Sequence, residues 1–310
     1  MNAPPFAVVD IGSNTAHLLV AASDGQTVEP ICDRSVTLGL GQAVAAGGGR
    51  IGAAKTRELV QTLVDFAGEA AAAGARPLHI LATHALRVAG DSTAAIQAVE
   101  AAVGRPVTLI TPQQEAAFSF RGATAAVPGI GATLMIEIGG GSTQIALGAA
   151  GVMTVGASLP LAGAHLTDRF FAADPPTAAE LDRLRAYVQA TLAPVLPPTT
   201  GPVARAVAVG GSLRRLTDLL GVALGSPLPA DWPATATAQL TALSVADLSL
   251  RYIIPIERAR VMLAGVLLAG AILRAYGDPP CTVAAYGIRE GAILTLALAD
   301  HAHLERDRTL

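Results

Sequence analysis

The sequence predicts an α/β protein built from two copies of one lobe, and three observations lead there. The segment Val8-Val9-Asp10-Ile11-Gly12-Ser13-Asn14-Thr15-Ala16-His17-Leu18-Leu19-Val20 has the same plan as Met135-Ile136-Glu137-Ile138-Gly139-Gly140-Gly141-Ser142-Thr143-Gln144-Ile145-Ala146-Leu147. Each copy runs apolar strand, acid, Ile-Gly, small polar turn, second apolar strand; short β-branched runs bounded by Gly are hairpin signals. Helical and strand patterns alternate between and after the hairpins, which is the mark of an α/β architecture. The 310 residues are 52% hydrophobic and 15% charged, the balance of a packed globular chain.

The elements follow in order. Ala53 to Ala73 carries Leu59, Leu63 and Phe66 on one helical face. His79 to Ala82 reads as a strand, and Asp91 stands ahead of Thr93 to Val103 as the cap of a helix. Val107 to Ile110 is a strand, after which Thr111-Pro112 opens a helix through Gln113 and Glu115, with Pro suited to the first helical position. Gly151 to Ser158 reads as a strand, Thr177 to Leu192 as a helix and Pro194 to Pro202 as a loop. Ala204 to Val209 is a buried strand that turns through Gly210-Gly211 into a helix. The expected division is a first lobe over residues 1–120 and a second over 121–310, with the last helix packing back on the first lobe.

Composition narrows the function. A formal net charge of −3 argues against a protein that binds nucleic acid through a broad basic surface, while leaving room for a small basic cleft. Cys32 and Cys281 make no motif and read as buried, reduced thiols. Met1 to Phe6 has no basic region or apolar run of the secretory type. Val261 to Leu273, bounded by Arg260 and Arg274, falls short of the ~20 residues that cross a bilayer and reads as a buried helix. The expectation is a cytoplasmic protein without a membrane or nucleic-acid partner.

The chemistry concentrates in the glycine turns. Glycine lets the backbone approach a phosphate so that N–H groups donate to its oxygens. An acid just before such a turn can hold Mg²⁺ directly or through water. Asp10 with Gly12, Ser13 and Asn14 fits this pattern, as does Glu137 with Gly139, Gly140, Gly141 and Ser142; Gly210 and Gly211 add a third turn.

Ordered blocks make the reading specific. Val9 to Thr15, Ala82-Thr83-His84-Ala85-Leu86-Arg87, Ile110 to Ala116, Ile138 to Thr143, Ser158 to Gly163, Asp174-Pro175-Pro176-Thr177 and Tyr286-Gly287-Ile288-Arg289-Glu290-Gly291 resemble the motifs of the exopolyphosphatase/guanosine pentaphosphate phosphatase family, in order and over nearly the whole chain. The resemblance implies the duplicated ribonuclease H-like fold of the actin, hexokinase and Hsp70 superfamily, with the active site in the cleft between lobes. It implies hydrolysis of terminal phosphoanhydride bonds of polyphosphate or guanosine pentaphosphate. Glu115 matches the family's catalytic glutamate, which positions and deprotonates the attacking water. Arg87 matches a basic residue that clamps phosphate, a task suited to a guanidinium. Asp10, Glu137 and Gln144 stand at the metal positions, for Mg²⁺ or Mn²⁺. His17 joins the phosphate-binding set where the family commonly has arginine.

This chain departs from the pattern at His17, at Gln144 for a common glutamate, and at Glu137 for a common aspartate. The first two fall at equivalent places in the two hairpins, so a lost cation is matched by a lost anion. Arg214, Arg215, Arg258, Arg260 and Arg289 are candidates to extend a basic track, although each taken alone reads as a surface charge. Larger relatives carry an additional C-terminal helical domain, whereas this chain stops at Leu310. The expectation is therefore a preference for short polyphosphates or a nucleotide pentaphosphate, with distributive release; processive action would instead point to a homodimer that builds a longer channel from two copies. A non-catalytic polyphosphate or nucleotide sensor is the alternative, and a small-molecule kinase rests on fold analogy alone.

Overall fold

The computed structural model describes residues 3–307, so that Met1 and Leu310 lie outside it. The chain divides into two units, residues 1–125 with 288–310, and residues 126–287. Unit 1 holds β1 (Phe6–Ile11), β2 (Thr15–Ser23), β3 (Val28–Thr37), α1 (Leu40–Ala46), α2 (Ala53–Ala72), β4 (His79–Ala82), α3 (His84–Val88), α4 (Ser92–Val103), β5 (Val107–Leu109) and α5 (Pro112–Ala126). Unit 2 holds β6 (Thr133–Ile138), β7 (Thr143–Ala149), β8 (Val152–Leu159), α6 (Gly163–Phe170), α7 (Ala178–Leu192), β9 (Arg205–Val209), α8 (Gly211–Leu220), α9 (Trp232–Thr241), α10 (Val245–Tyr252), α11 (Ile256–Ala275) and β10 (Cys281–Val283). The chain then returns to unit 1 with α12 (Ile288–Asp307).

The duplication is explicit in the strand order. One five-stranded sheet runs β3-β2-β1-β4-β5 and the other β8-β7-β6-β9-β10, the same order in both copies. In each, the first hairpin is antiparallel and the later strands join parallel to its first strand. The register matches to the residue: Asp10 lies opposite His17, and Glu137 lies opposite Gln144. The repeated acids and the two departures therefore occupy equivalent sites.

Each unit has its own core. In unit 1, Val9, Ile11, Leu18 and Val20 pack with Leu59, Leu63 and Phe66 of α2, as the helical spacing requires. In unit 2, α11 packs against α6, α7, α8, α9 and α10, and its Val261 to Leu273 stretch is almost wholly buried. Among the described residues no helix is long and apolar enough to cross a membrane.

Three details differ from the sequence reading. Asp91 sits at the N-cap of α4 but makes no side-chain cap bond there. Its carboxylate instead accepts from the Ile51 and Gly52 N–H groups, 2.8 and 3.0 Å away, pinning the entry to α2. Cys32 is half-buried on β3, with Sγ 3.5 Å from Glu69 Oε2, while Cys281 is buried; both are free thiols. Strand β3 itself lacks a readable pattern because nearly all of it is exposed, so no apolar face is imposed on its sequence.

Helices α5 and α12 meet backbone to backbone at Gly291. A methyl group there would lie 2.7 Å from the Phe118 carbonyl carbon and 2.9 Å from the Gly122 nitrogen, and would strike the Phe118 oxygen. Two helical backbones cannot yield locally, so Gly291→Ala is expected to cost about 2 kcal/mol or more. Gly68→Ala is the counterpart, since Gly68 is exposed on α2 with open space around it. That variant is expected to gain roughly 0.5–1 kcal/mol from helix propensity. Urea titration of both checks the pair: the midpoint should fall for Gly291→Ala and rise for Gly68→Ala.

Candidate active site

In unit 1, the start of α5 fixes one carboxylate. Thr111 and Gln114 form a reciprocal cap: the Thr111 N–H donates to Gln114 Oε1 at 2.9 Å and the Gln114 N–H to Thr111 Oγ1 at 3.2 Å. Pro112 fills the first helical position, and the cap sets the direction in which Glu115 leaves the first turn. Glu115 is buried, with Oε2 2.7 Å from Arg87 Nη2. Arg87 is anchored by its other nitrogen, Nη1, which donates to the Ile110 carbonyl at 2.9 Å. Burial raises the pKa of Glu115 and the Arg87 guanidinium opposes it, so the carboxylate is a stronger base than usual while a cation stabilises its charge.

The β1–β2 turn is held from behind. Gly41 N–H donates to the Ser13 carbonyl at 2.7 Å, and the Leu38 and Gly39 N–H groups donate to the Asn14 carbonyl at 2.8 and 2.9 Å. The turn's carbonyls are thus consumed by the segment entering α1 and by its first turn. Among the described residues no backbone carbonyl accepts from the Ser13 or Asn14 N–H groups, which suits them to phosphate oxygens. Thr83 closes the far side, donating through N–H and Oγ1 to the Ile11 carbonyl at 3.2 and 3.0 Å.

Asp10, at the end of β1, is half-buried, and its Oδ1 is sealed from solvent without a hydrogen-bond partner. Burial first, and then the neighbouring charges of Glu115 and Glu290, raise its pKa to about 7, with Arg289 pulling the other way. Arg289 is buried rather than a surface charge. It donates to the Leu18 carbonyl at 3.0 Å and to both oxygens of Asp33 at 2.6 and 3.3 Å, and it lies 3.7 Å from Glu290. Glu290, buried in the first turn of α12, is a charge at this site to which the sequence reading gave no role.

In unit 2, the corresponding turn is closed by Gly139 N–H donating to the Ser142 carbonyl at 2.9 Å, as Gly12 donates to Thr15 at 3.1 Å in unit 1. Gln144 is buried beside it, its Nε2 donating to Ser142 Oγ at 2.8 Å and to Ser158 Oγ at 3.2 Å. The Gly210 turn needs its glycine: φ is +110°, and a Cβ would lie 2.6 Å from the Ile138 oxygen. Gly211 opens α8 directly against the Arg258 guanidinium, whose Cζ would lie 2.6 Å from a Cβ there. Arg258 is half-buried, not a surface charge, and burial followed by the nearby Arg215 and Arg214 lowers its pKa. Arg214 donates to the Ala285 carbonyl. Three guanidinium groups and a helix N-terminus form a setting for an anion. Arg215 and Arg260 do carry surface ion pairs, with Asp218 and Asp168.

The predicted site residues thus fall into two sets. Asp10, Gly12, Ser13, Asn14, His17, Arg87 and Glu115 lie in unit 1; Glu137, Gly139 to Ser142, Gln144, Gly210 and Gly211 lie in unit 2. For a divalent cation, the sealed and unpartnered Asp10 Oδ1 is the fitting donor, although no group of three acidic, histidine or cysteine ligands occurs among the described residues. That fits Mg²⁺, which keeps several waters and binds through one or two carboxylates and substrate phosphates. Gln144 has committed its amide nitrogen to two hydroxyls, leaving only a neutral oxygen for an ion.

Asp10 gives a pH dependence of stability. Its folded pKa, about 7, lies above the ordinary 3.8, so the folded state binds the proton more tightly. That contribution is fully present below the unfolded value and is lost as pH rises through about 7. In chelator, Asp10→Asn is expected to raise the melting temperature relative to the parent at pH 8 by more than it does at pH 4. An equal difference at both pH values would remove Asp10 as the source.

Comparison with known proteins gives a consistent result. The model of the Ppx/GppA phosphatase family matches residues 19–300. The chain is 30% identical over 300 residues to exopolyphosphatase 1 of Mycobacterium leprae, covering 93% of this chain and 88% of that protein. It is equally similar to exopolyphosphatase 1 of Mycobacterium tuberculosis, covering 87% of that protein. The crystal structure of the Aquifex aeolicus Ppx/GppA family member superposes with a TM-score of 0.85 at 26% identity, covering 96% of this chain and 98% of that one. The fold is therefore the duplicated α/β fold expected from the sequence, and the chain belongs to the Ppx/GppA phosphatase family.

Proposed function

We propose that this protein hydrolyses the terminal phosphoanhydride bond of inorganic polyphosphate, short chains favoured, with guanosine pentaphosphate as a second substrate of the same chemistry. The observation that carries the reading is the buried Arg87–Glu115 pair in the first turn of α5, 2.7 Å apart, with the carboxylate's basicity raised by burial. The mycobacterial relatives named exopolyphosphatase support it.

Water attacks the terminal phosphorus in line, the bond from phosphorus to the bridging oxygen breaks, and the shortened chain leaves with that oxygen. Glu115 orients the water and accepts its proton; little more is asked of a base when the transition state is loose. Arg87 holds Glu115 in place and adds positive charge where phosphate oxygens gather. Within unit 1 the turn amides of Ser13 and Asn14 are suited to phosphate oxygens, with His17 as a further contact; within unit 2 the Gly139 to Ser142 turn and Arg258 above Gly211 are suited to the same task. Bound Mg²⁺ or Mn²⁺ would be held by Asp10 in unit 1 and would neutralise phosphate charge. A grip made of a few guanidinium groups and turn amides favours short chains and release after each cleavage.

One observation favours the alternative of a phosphate-binding sensor: Gln144 puts a neutral amide where an anionic ligand would strengthen a metal site. Phosphate release decides between the two. Glu115→Gln keeps the side chain's size and is expected to lower kcat by roughly 10²-fold or more. KM should stay close to that of the parent and the variant should still fold, with a lowered melting temperature because the buried Arg87 loses its anionic partner. Near-normal turnover would move the base elsewhere, and no turnover by the parent with either substrate would leave the sensor. Chelator is expected to abolish activity and Mg²⁺ or Mn²⁺ to restore it, measured as phosphate release from polyphosphates of defined length.

A further inference from the structure

The amide of Gln144 decides which way two hydroxyl groups point. Gln144 is 1% exposed on β7, and its Nε2 lies 2.8 Å from Ser142 Oγ and 3.2 Å from Ser158 Oγ on β8. An amide –NH₂ has two hydrogens to donate and accepts none. Both are used here, so each serine oxygen receives a hydrogen bond and its own hydrogen must find an acceptor elsewhere. Ser142 is the last residue of the Gly139 to Ser142 turn, and its backbone carbonyl is already occupied by the Gly139 N–H at 2.9 Å. Its side chain is 4% exposed as a residue, so the hydroxyl has few partners to choose from.

We propose that Gln144 is a positioning residue that makes the Ser142 hydroxyl an obligatory donor to a phosphate oxygen held in this turn. This rests on the phosphate-binding reading given above. A glutamate at the same position would reverse the polarity. A carboxylate only accepts, so both serine hydrogens would turn inward to it and Ser142 would present lone pairs to the phosphate. Two lone-pair-bearing oxygens facing each other lose the bond and repel. The exchange of an anionic side chain for a neutral amide at position 144 thus gives this chain a turn whose side chain, as well as its backbone, donates to the ligand.

The test measures tripolyphosphate binding by calorimetry on the full chain in chelator, where neither metal binding nor turnover intervenes. The variants are Gln144→Glu, Ser142→Ala and the double substitution. A new charge at position 144 repels phosphate whether or not Ser142 has a hydroxyl, whereas the reversal of hydroxyl polarity exists only when it does. Gln144→Glu is therefore expected to weaken binding about tenfold with Ser142 present and no more than about threefold in the Ser142→Ala background, a coupling within the usual range for residues in contact. An equal loss in both backgrounds overturns the proposal. Should Gln144→Glu fail to fold, Gln144→Met removes the donors without adding charge. It is expected to weaken binding with Ser142 present and to be silent without it, and weakening in both backgrounds overturns the proposal as well. Failure of the parent to bind tripolyphosphate would overturn the phosphate reading itself, a result distinct from parent binding without coupling.

Discussion

A carboxylate buried in the first turn of a helix needs a cation, and in this protein the requirement organises unit 1. Glu115 is held by Arg87, Arg87 by the Ile110 carbonyl, and the start of α5 by the Thr111–Gln114 cap. Removing one member would leave a buried charge uncompensated, which costs far more than a buried pair gains. The pair is thus poor evidence for stability. Around it, Arg289 spends its hydrogen bonds on Asp33 and the Leu18 carbonyl, and its charge offsets only in part the burial and the neighbouring carboxylates that act on Asp10. The raised pKa of Asp10 comes first from burial and then from these neighbouring carboxylates.

The two hairpins show how a repeated backbone can carry unlike chemistry. Their registers coincide, and each glycine turn closes with the same backbone bond. Yet the unit 1 turn is braced by the segment entering α1, while the unit 2 turn is braced by side chains, with Gln144 tying Ser142 to Ser158. The third glycine turn owes its anion character to arginines brought in by α8 and α11.

What could be read from the sequence follows from how local each signal is. The hairpins, the Pro112 helix start and the α2 face are written in adjacent residues, and all appear where expected. Strand β3 was illegible because an exposed edge strand imposes no apolar alternation. Arg258 and Arg289 passed for surface charges because an arginine's burial depends on what the chain brings over it later. Arg258 lies over a turn far upstream, and Arg289 reaches back to β2 and β3. Glu290 escaped for the same reason, and Asp91 had a nearer use to suggest, the cap of its own helix, than the one it serves at the start of α2.

Unit 2 is one uninterrupted stretch of chain, whereas unit 1 is completed only by α12. Synthesis from the N-terminus therefore delivers every residue of unit 2 before the piece that finishes unit 1. Until Ile288 and the residues after it emerge, β1, β2 and β3 lack the helix that packs on them, and α5 lacks the backbone that meets it at Phe118 and Gly122. The half of the molecule that carries Glu115 is thus the last to close, and Arg289 and Glu290 reach Asp10 only with the final helix. An incomplete chain on the ribosome can have a finished second unit and still lack an assembled site for chemistry.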